Sequence, residues 1–148
     1  MAGLIPRLAR DGHFGAAIVA APLFWVAWFA LTRPVVDLTW PVSAPVVFFL
    51  PAFAYPVLEE IAFRGALQGA LWKTRLAEFA WGPISAANLL TSVVFVAAHF
   101  FWQLPYVAVS VIVPSLIFGY FRDRYRNIVP AVLLHVFYNT GFVLLFNG

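Results

Sequence analysis

Long apolar runs dominate the chain, and polar residues interrupt them at only a few positions. The runs cover residues 14–31, 41–72, 84–102, 106–121 and 128–146. Each run approaches or exceeds the roughly 20 residues that a helix needs to cross a bilayer. Two adjacent acidic residues divide the second run, and three prolines in its first half should bend it, so we expect one long or broken helix there. The pattern predicts an all-α polytopic membrane bundle of about five transmembrane helices joined by short loops.

The composition agrees with this fold and excludes several classes of protein. Of the 148 residues, 64% are apolar and 10% are charged, and the mean hydropathy is +0.90. Soluble domains are about 45 to 50% apolar and about 25% charged, so we expect neither a water-soluble globule nor a disordered chain nor a protein that binds nucleic acid. The chain has no cysteine, which excludes cysteine nucleophiles, thiolate metal sites and a disulfide framework.

The basic residues predict how the chain is oriented in the membrane. Cytoplasmic loops carry an excess of Lys and Arg. With the N-terminus inside, Arg33 is the only basic residue on the outer side, and those on the inner side are Arg7, Arg10, Arg64, Lys73, Arg75, Arg122, Arg124 and Arg126. We therefore expect a cytoplasmic N-terminus. Residues 1–40 would form a basic segment and an anchor helix, and residues 41–148 the functional core.

A second group of polar residues lies inside the predicted spans, where an ionisable side chain costs about 2.5 to 3.5 kcal/mol. The group consists of Glu59, Glu60 and Arg64 in the second run, His99 in the third, and His135 and Asn139 in the fifth. Glu60 and Arg64 are four residues apart and share a helix face, whereas Glu59 is turned by about 100° from Glu60. Both glutamates could merely neutralise Arg64, and each histidine could be a satisfied core residue. Two acids for one base, together with two histidines and an amide on other helices, favour a functional site.

These residue types suit the hydrolysis of an amide. A carboxylate beside an imidazole can hold and deprotonate a water molecule, and a second imidazole with an amide offers N–H donors to an oxyanion. No serine or cysteine nucleophile motif accompanies them, so a covalent acyl-enzyme is not indicated. We expect no cofactor, but a zinc ion held by Glu59, His99 and His135 stays open, because two His and one Glu can bind zinc with one open position.

Three motifs together resemble a known family. Residues 59–64 match EExxxR and are followed by Gly65, Phe95 to His99 match FxxxH, and His135 to Asn139 match HxxxN. In this order, on separate predicted helices, the motifs resemble the CPBP (ABI) intramembrane proteases, the superfamily of the Ras-converting CAAX endopeptidase. The resemblance covers about residues 45–146.

The resemblance implies a role for each motif residue. Glu59 and His99 would activate the hydrolytic water, and His135 and Asn139 would stabilise the oxyanion. Glu60, Arg64 and Phe95 would support the site. The class is regarded as glutamate-type, although it was long labelled as metalloprotease.

The expected function is therefore that of an intramembrane endopeptidase that cleaves a peptide or protein tail delivered at the membrane. The small size of the chain is closer to bacterial relatives, such as proteases of C-terminal sorting signals, and suggests a bacterial plasma membrane. One alternative is a non-catalytic bacteriocin-immunity or scaffold protein on the same fold. Another is a proton-coupled carrier, which the lack of an internal repeat disfavours. The partners expected are the substrate and the lipid bilayer, and the sequence gives no oligomeric state.

Overall fold

The computed structural model describes residues 3–146, and helices make up most of them. Their bounds are α1 (Leu4–Ala9), α2 (Gly12–Thr32), α3 (Trp40–Ser43), α4 (Pro45–Leu71), α5 (Ala86–His99), α6 (Pro105–Tyr125) and α7 (Val129–Phe146). A 3₁₀ turn (Arg75–Glu78) and a small antiparallel hairpin of β1 (Ala80–Trp81) and β2 (Ile84–Ser85) connect α4 to α5. Side chains cap two of the helices: the Asp11 carboxylate accepts the His13 N–H at 2.9 Å, and the Ser85 hydroxyl accepts the Asn88 N–H at 3.0 Å.

Four of these helices, α2, α4, α6 and α7, are long and apolar enough to cross a membrane. Only 11 to 28% of the residues in their apolar windows are buried, which leaves most of their side chains for contact with lipid. The prediction of an all-α, multi-pass membrane bundle of about five helices is confirmed. The predicted cytoplasmic position of the N-terminus stays a prediction.

The third apolar run forms a shorter helix than its length predicts. α5 has 14 residues, which corresponds to about 21 Å against the roughly 30 Å of a bilayer's hydrocarbon core. The chain leaves the helix after His99 and turns over residues 100–103. Leu104 then adopts an extended conformation (φ −60°, ψ 143°), as a residue before a proline prefers.

α4 is continuous but not α-helical throughout. Two stretches, Leu50–Ala54 and Ile61–Leu67, are π-helical. At the end of the first stretch the Tyr55 N–H donates to the carbonyl of Leu50, five residues back instead of four. One of the three prolines expected to bend this helix occupies its first turn, and the other two lie within or just after the first π-helical stretch. The second stretch directly follows Glu60, and single-turn π-helical segments are frequent at functional sites.

The described residues form two compact units. One lies within residues 1–57 and 133–148, and the other within residues 58–132. This grouping follows from packing and does not test the division at residue 40, which stays a prediction.

In the first unit, α2 packs against α7 through aromatic side chains. The rings of Trp25 and Phe137 are 5.3 Å apart, and the Tyr138 hydroxyl donates to the carbonyl of Ala17 at 2.6 Å. Gly141 faces the same indole so closely that a Cβ there would overlap the ring of Trp25. A small residue is therefore required where these two helices approach each other.

In the second unit, α5 packs closely against α6 around a buried amide. The Asn88 Nδ2 donates to the carbonyl of Leu116 at 2.9 Å, and the Asn88 Oδ1 accepts from the Ser92 hydroxyl at 3.2 Å. Asn88 and Ser92 are both fully buried. The buried Asn88 side chain on α5 thus serves hydrogen bonding between helices, as is common in membrane proteins.

Gly119→Ala is expected to destabilise the second unit. An ideal Cβ at Gly119 overlaps the Asn88 carboxamide, so the substitution must displace a buried, hydrogen-bonded side chain at a cost of about 1 to 3 kcal/mol. Thermal unfolding in detergent measures the effect. Gly69→Ala is the matched control, because its Cβ would make an ordinary contact of 3.7 Å with Arg122 Nη2. Equal midpoints for the two variants would contradict the close approach of α5 and α6.

Candidate active site

The four predicted catalytic residues divide equally between the two units. Glu59 and His99 lie in the unit of residues 58–132, and His135 and Asn139 lie in the other. Glu59, His99 and Asn139 are half-buried, and His135 is 5% exposed.

Glu60 and Arg64 form a fully buried ion pair, as their spacing predicts. Arg64 Nε lies 3.5 Å from Glu60 Oε2, and both side chains are 0% exposed. Arg64 Nη2 also donates to the carbonyl and the hydroxyl oxygen of Ser115, each at 2.8 Å. Its guanidinium carbon lies 5.4 Å from the centre of the Phe95 ring. A buried ion pair needs such additional partners to offset its desolvation, so these contacts hold α4, α5 and α6 together around one charge.

A second polar cluster joins the end of α4 to the start of α5. Asp123 Oδ1 accepts from Gln68 Nε2 at 2.8 Å and from Trp72 Nε1 at 2.7 Å, and Asp123 Oδ2 accepts from the Ser85 hydroxyl at 2.6 Å. The guanidinium carbon of Arg122 lies 4.0 Å from the centre of the Trp72 ring, within the range of a cation–π interaction. The end of α4 and the start of α5 meet at Asp123, and Phe63 and Phe95, farther along the two helices, are also in contact, so the two helices run antiparallel.

A contact between two aromatic rings sets the relative level of Glu59 and His99. The rings of Phe63 and Phe95 meet edge to face with their centres 4.9 Å apart. Glu59 lies four residues before Phe63, and His99 lies four residues after Phe95. Because α4 and α5 are antiparallel, going back from Phe63 to Glu59 and going forward from Phe95 to His99 lead towards the same end of the helix pair. Glu59 and His99 therefore lie at the same level, about one turn beyond the ring contact.

A hydrogen bond determines which nitrogen of His99 is available for chemistry. His99 Nδ1 lies 2.8 Å from the carbonyl oxygen of Phe95. A carbonyl oxygen can only accept, so the proton of the neutral ring resides on Nδ1 and Nε2 is left as an acceptor. The ring also stacks at a tilt on Phe95, with centres 4.4 Å apart, and lies 5.6 Å from the Trp102 ring. These contacts fix both the tautomer and the orientation of the imidazole.

His135 and Asn139 lie one turn apart on α7. The Asn139 Nδ2 donates to the carbonyl of Pro51 at 3.1 Å. A carboxamide has two N–H groups, so this bond leaves Asn139 a second donor.

The described residues do not group as a metal site. Within residues 3–146, no three His, Cys, Asp or Glu side chains lie close enough together to hold a metal ion. Two histidines and a glutamate would suit zinc by chemical type, but neither unit contains such a set of three. The expectation of no cofactor and the alternative of a zinc ion both stay predictions.

Comparison with known proteins decides the family. The profile of the family described as Rce1-like, Type II CAAX prenyl endopeptidase Rce1-like, matches residues 41–141, which are 101 of the 148 residues. The chain belongs to this family. The Rce1-like match contains all three motifs, from Glu59 to Asn139, and the predicted resemblance is confirmed. No curated protein and no solved structure matches the chain.

Membership of the Rce1-like family, a peptidase family, makes the chain a CAAX-type peptide hydrolase. The apolar helices make it an integral, multi-pass membrane protein. The roles of the individual motif residues and the identity of the substrate stay predictions.

Ser115 and Asp123 are two residues of this Rce1-like chain whose contacts are not predicted by their positions in the sequence. Ser115 interrupts the fourth apolar run, and Asp123 is an acid between two arginines. Ser115 is a polar residue within a span, and Asp123 is an acid within a basic segment, so each position is only weakly unusual. Neither feature indicates the hydrogen-bond partner, because Arg64 lies 51 residues from Ser115 and Gln68 lies 55 residues from Asp123 along the chain.

Proposed function

We propose that the protein is an intramembrane endopeptidase that cleaves a membrane-delivered peptide or protein tail with a water molecule activated by Glu59 and His99. The observation that carries the proposal is the contact of Phe63 with Phe95, which sets Glu59 and His99 level on antiparallel helices. The hydrogen bond of His99 Nδ1 to Phe95 adds to this support, because it leaves Nε2 as an acceptor for water.

The chemistry follows from the acceptors available. The Glu59 carboxylate takes a proton from water as the water oxygen attacks the carbonyl carbon of the scissile peptide bond, while His99 Nε2 accepts a hydrogen bond from the other proton of that water. The carbonyl oxygen becomes an oxyanion, which N–H donors stabilise; we assign this role to His135 and Asn139, as the resemblance implies. The proton on Glu59 then passes to the leaving nitrogen as the C–N bond breaks, and Glu59 is ionised again.

The substrate class is a tail already held at the membrane. A prenylated CAAX tail and a C-terminal sorting signal both belong to this class. A bacterial plasma membrane, with the N-terminus in the cytoplasm, is the location that we propose.

Cleavage in proteoliposomes tests the proposal. The purified protein is incubated with a farnesylated peptide ending in a CAAX sequence and, separately, with a peptide ending in an apolar helix and a basic tail. We expect one of them to be cleaved, and His99→Ala to slow that cleavage by about 10²- to 10⁴-fold. His13→Ala, at the exposed start of α2, is the control and should keep the wild-type rate.

Cleavage by His99→Ala at the wild-type rate would contradict the assignment of the site. Binding of either peptide without cleavage by the wild-type protein would favour the non-catalytic alternative.

A further inference from the structure

Pro56 removes one backbone donor from α4 just after its first π-helical stretch. Proline has no N–H. In α-helical register that N–H would reach the carbonyl of Ala52, and in π-helical register that of Pro51. The preceding bond, from Tyr55 to Leu50, is π-helical. The carbonyl of either Pro51 or Ala52 therefore lacks the backbone N–H that residue 56 would otherwise donate. Ala52 and Pro56 are buried in this part of the helix.

The side chains of α7 donate to these same two carbonyls. Asn139 Nδ2 donates to the Pro51 carbonyl at 3.1 Å, and the Thr140 hydroxyl donates to the Ala52 carbonyl at 3.3 Å. Two adjacent donors on α7 thus meet two adjacent acceptors on α4, and all four residues belong to the same compact unit. Inside a membrane an unsatisfied carbonyl is costly, and side chains of neighbouring helices are a known way to satisfy it.

We infer that Asn139 and Thr140 form a clamp that replaces the donor missing at Pro56 and holds the part of α4 that leads to Glu59. The clamp adds a positioning role on α4 to the oxyanion role that we assign to Asn139, and the bond to Pro51 also fixes the direction of the second Asn139 N–H. Thr140 is a positioning residue that no catalytic motif contains. The effect of the clamp on cleavage rests on the proposed function, whereas its effect on stability does not.

Restoring the missing donor tests the inference. Pro56→Ala returns an N–H to α4, so the side-chain donors should matter less in that background. In the wild-type background, Asn139→Ala with Thr140→Val should lower the midpoint of thermal unfolding in detergent by about 5 °C. When Pro56→Ala is present, the same pair of substitutions should lower the unfolding midpoint by less than half of that amount.

Cleavage rates measured well below the midpoint provide the second readout. Thr140→Val should slow cleavage by lowering kcat with little change in KM. Thr140→Ser should retain the wild-type rate because it keeps the hydroxyl. Adding Pro56→Ala to Thr140→Val should recover part of the lost rate. If the Thr140 side chain only filled space, Thr140→Val would slow cleavage equally with and without Pro56→Ala.

Equal shifts of the midpoint with and without Pro56→Ala would overturn the clamp. If Asn139→Ala fails to fold, the three Thr140 comparisons decide the question by themselves. Cleavage by Glu59→Gln at the wild-type rate would refute the proposed function but not the clamp, because the unfolding midpoints that test the clamp do not depend on activity.

Discussion

Glu59→Gln is expected to slow peptide cleavage by about 10²- to 10⁴-fold and to leave the midpoint of thermal unfolding near that of the wild type. Glutamine preserves the size of the side chain but cannot take up the proton of the attacking water. Glu59 is half-buried, and the ion pair with Arg64 that lies fully inside the protein is made by its neighbour Glu60. The substitution therefore removes a base without removing the counter-charge of the buried arginine.

Glu60→Gln is the matched control for this experiment, because it makes the same chemical change one residue away. It should lower the unfolding midpoint, and at a temperature where the variant is folded it should cleave faster than Glu59→Gln. A rate of Glu59→Gln equal to that of the wild type, or a larger loss of rate in Glu60→Gln, would reverse the roles assigned to the two glutamates.

Arg64→Met is expected to destabilise the protein by about 3 to 5 kcal/mol, because it leaves the fully buried Glu60 without a counter-charge. The variant also removes both hydrogen bonds to Ser115. For a chain of this size the loss corresponds to a decrease of about 10 °C in the midpoint of thermal unfolding. Calorimetry or near-ultraviolet circular dichroism in detergent measures it.

Two comparisons separate this effect from a general loss of positive charge. Lys73→Met removes an exposed cation from the same part of the chain and should leave the midpoint almost unchanged. Glu60→Gln combined with Arg64→Met should recover part of the stability, because no unpaired charge stays buried. An Arg64→Met variant as stable as the wild type would show that the pair does not stabilise the bundle.

The features that the sequence predicts well are those that depend on neighbours along the chain. The hydrophobic pattern predicts the spans within a few residues, because apolar length is a direct requirement of the bilayer. The pairing of Glu60 with Arg64 follows from their spacing on one helix.

The features that the sequence does not predict depend on contacts between distant segments or on a small change in helical register. Ser115 and Asp123 acquire their roles only when α6 packs against α4. The π-helical stretches of α4 differ from an α-helix by one residue in each hydrogen bond, a change to which a pattern of apolar residues is insensitive. The bond from Asn139 to Pro51 spans 88 residues and could not be inferred from the HxxxN motif.

The short length of α5 has a consequence for the supply of water, which is the second substrate of any hydrolysis. A helix of about 21 Å falls roughly 9 Å short of the hydrocarbon thickness, and such hydrophobic mismatch is relieved by local thinning of the bilayer. His99 is the last residue of α5. Thinning of the bilayer on the side where this helix ends would shorten the path of water from bulk solvent to the imidazole.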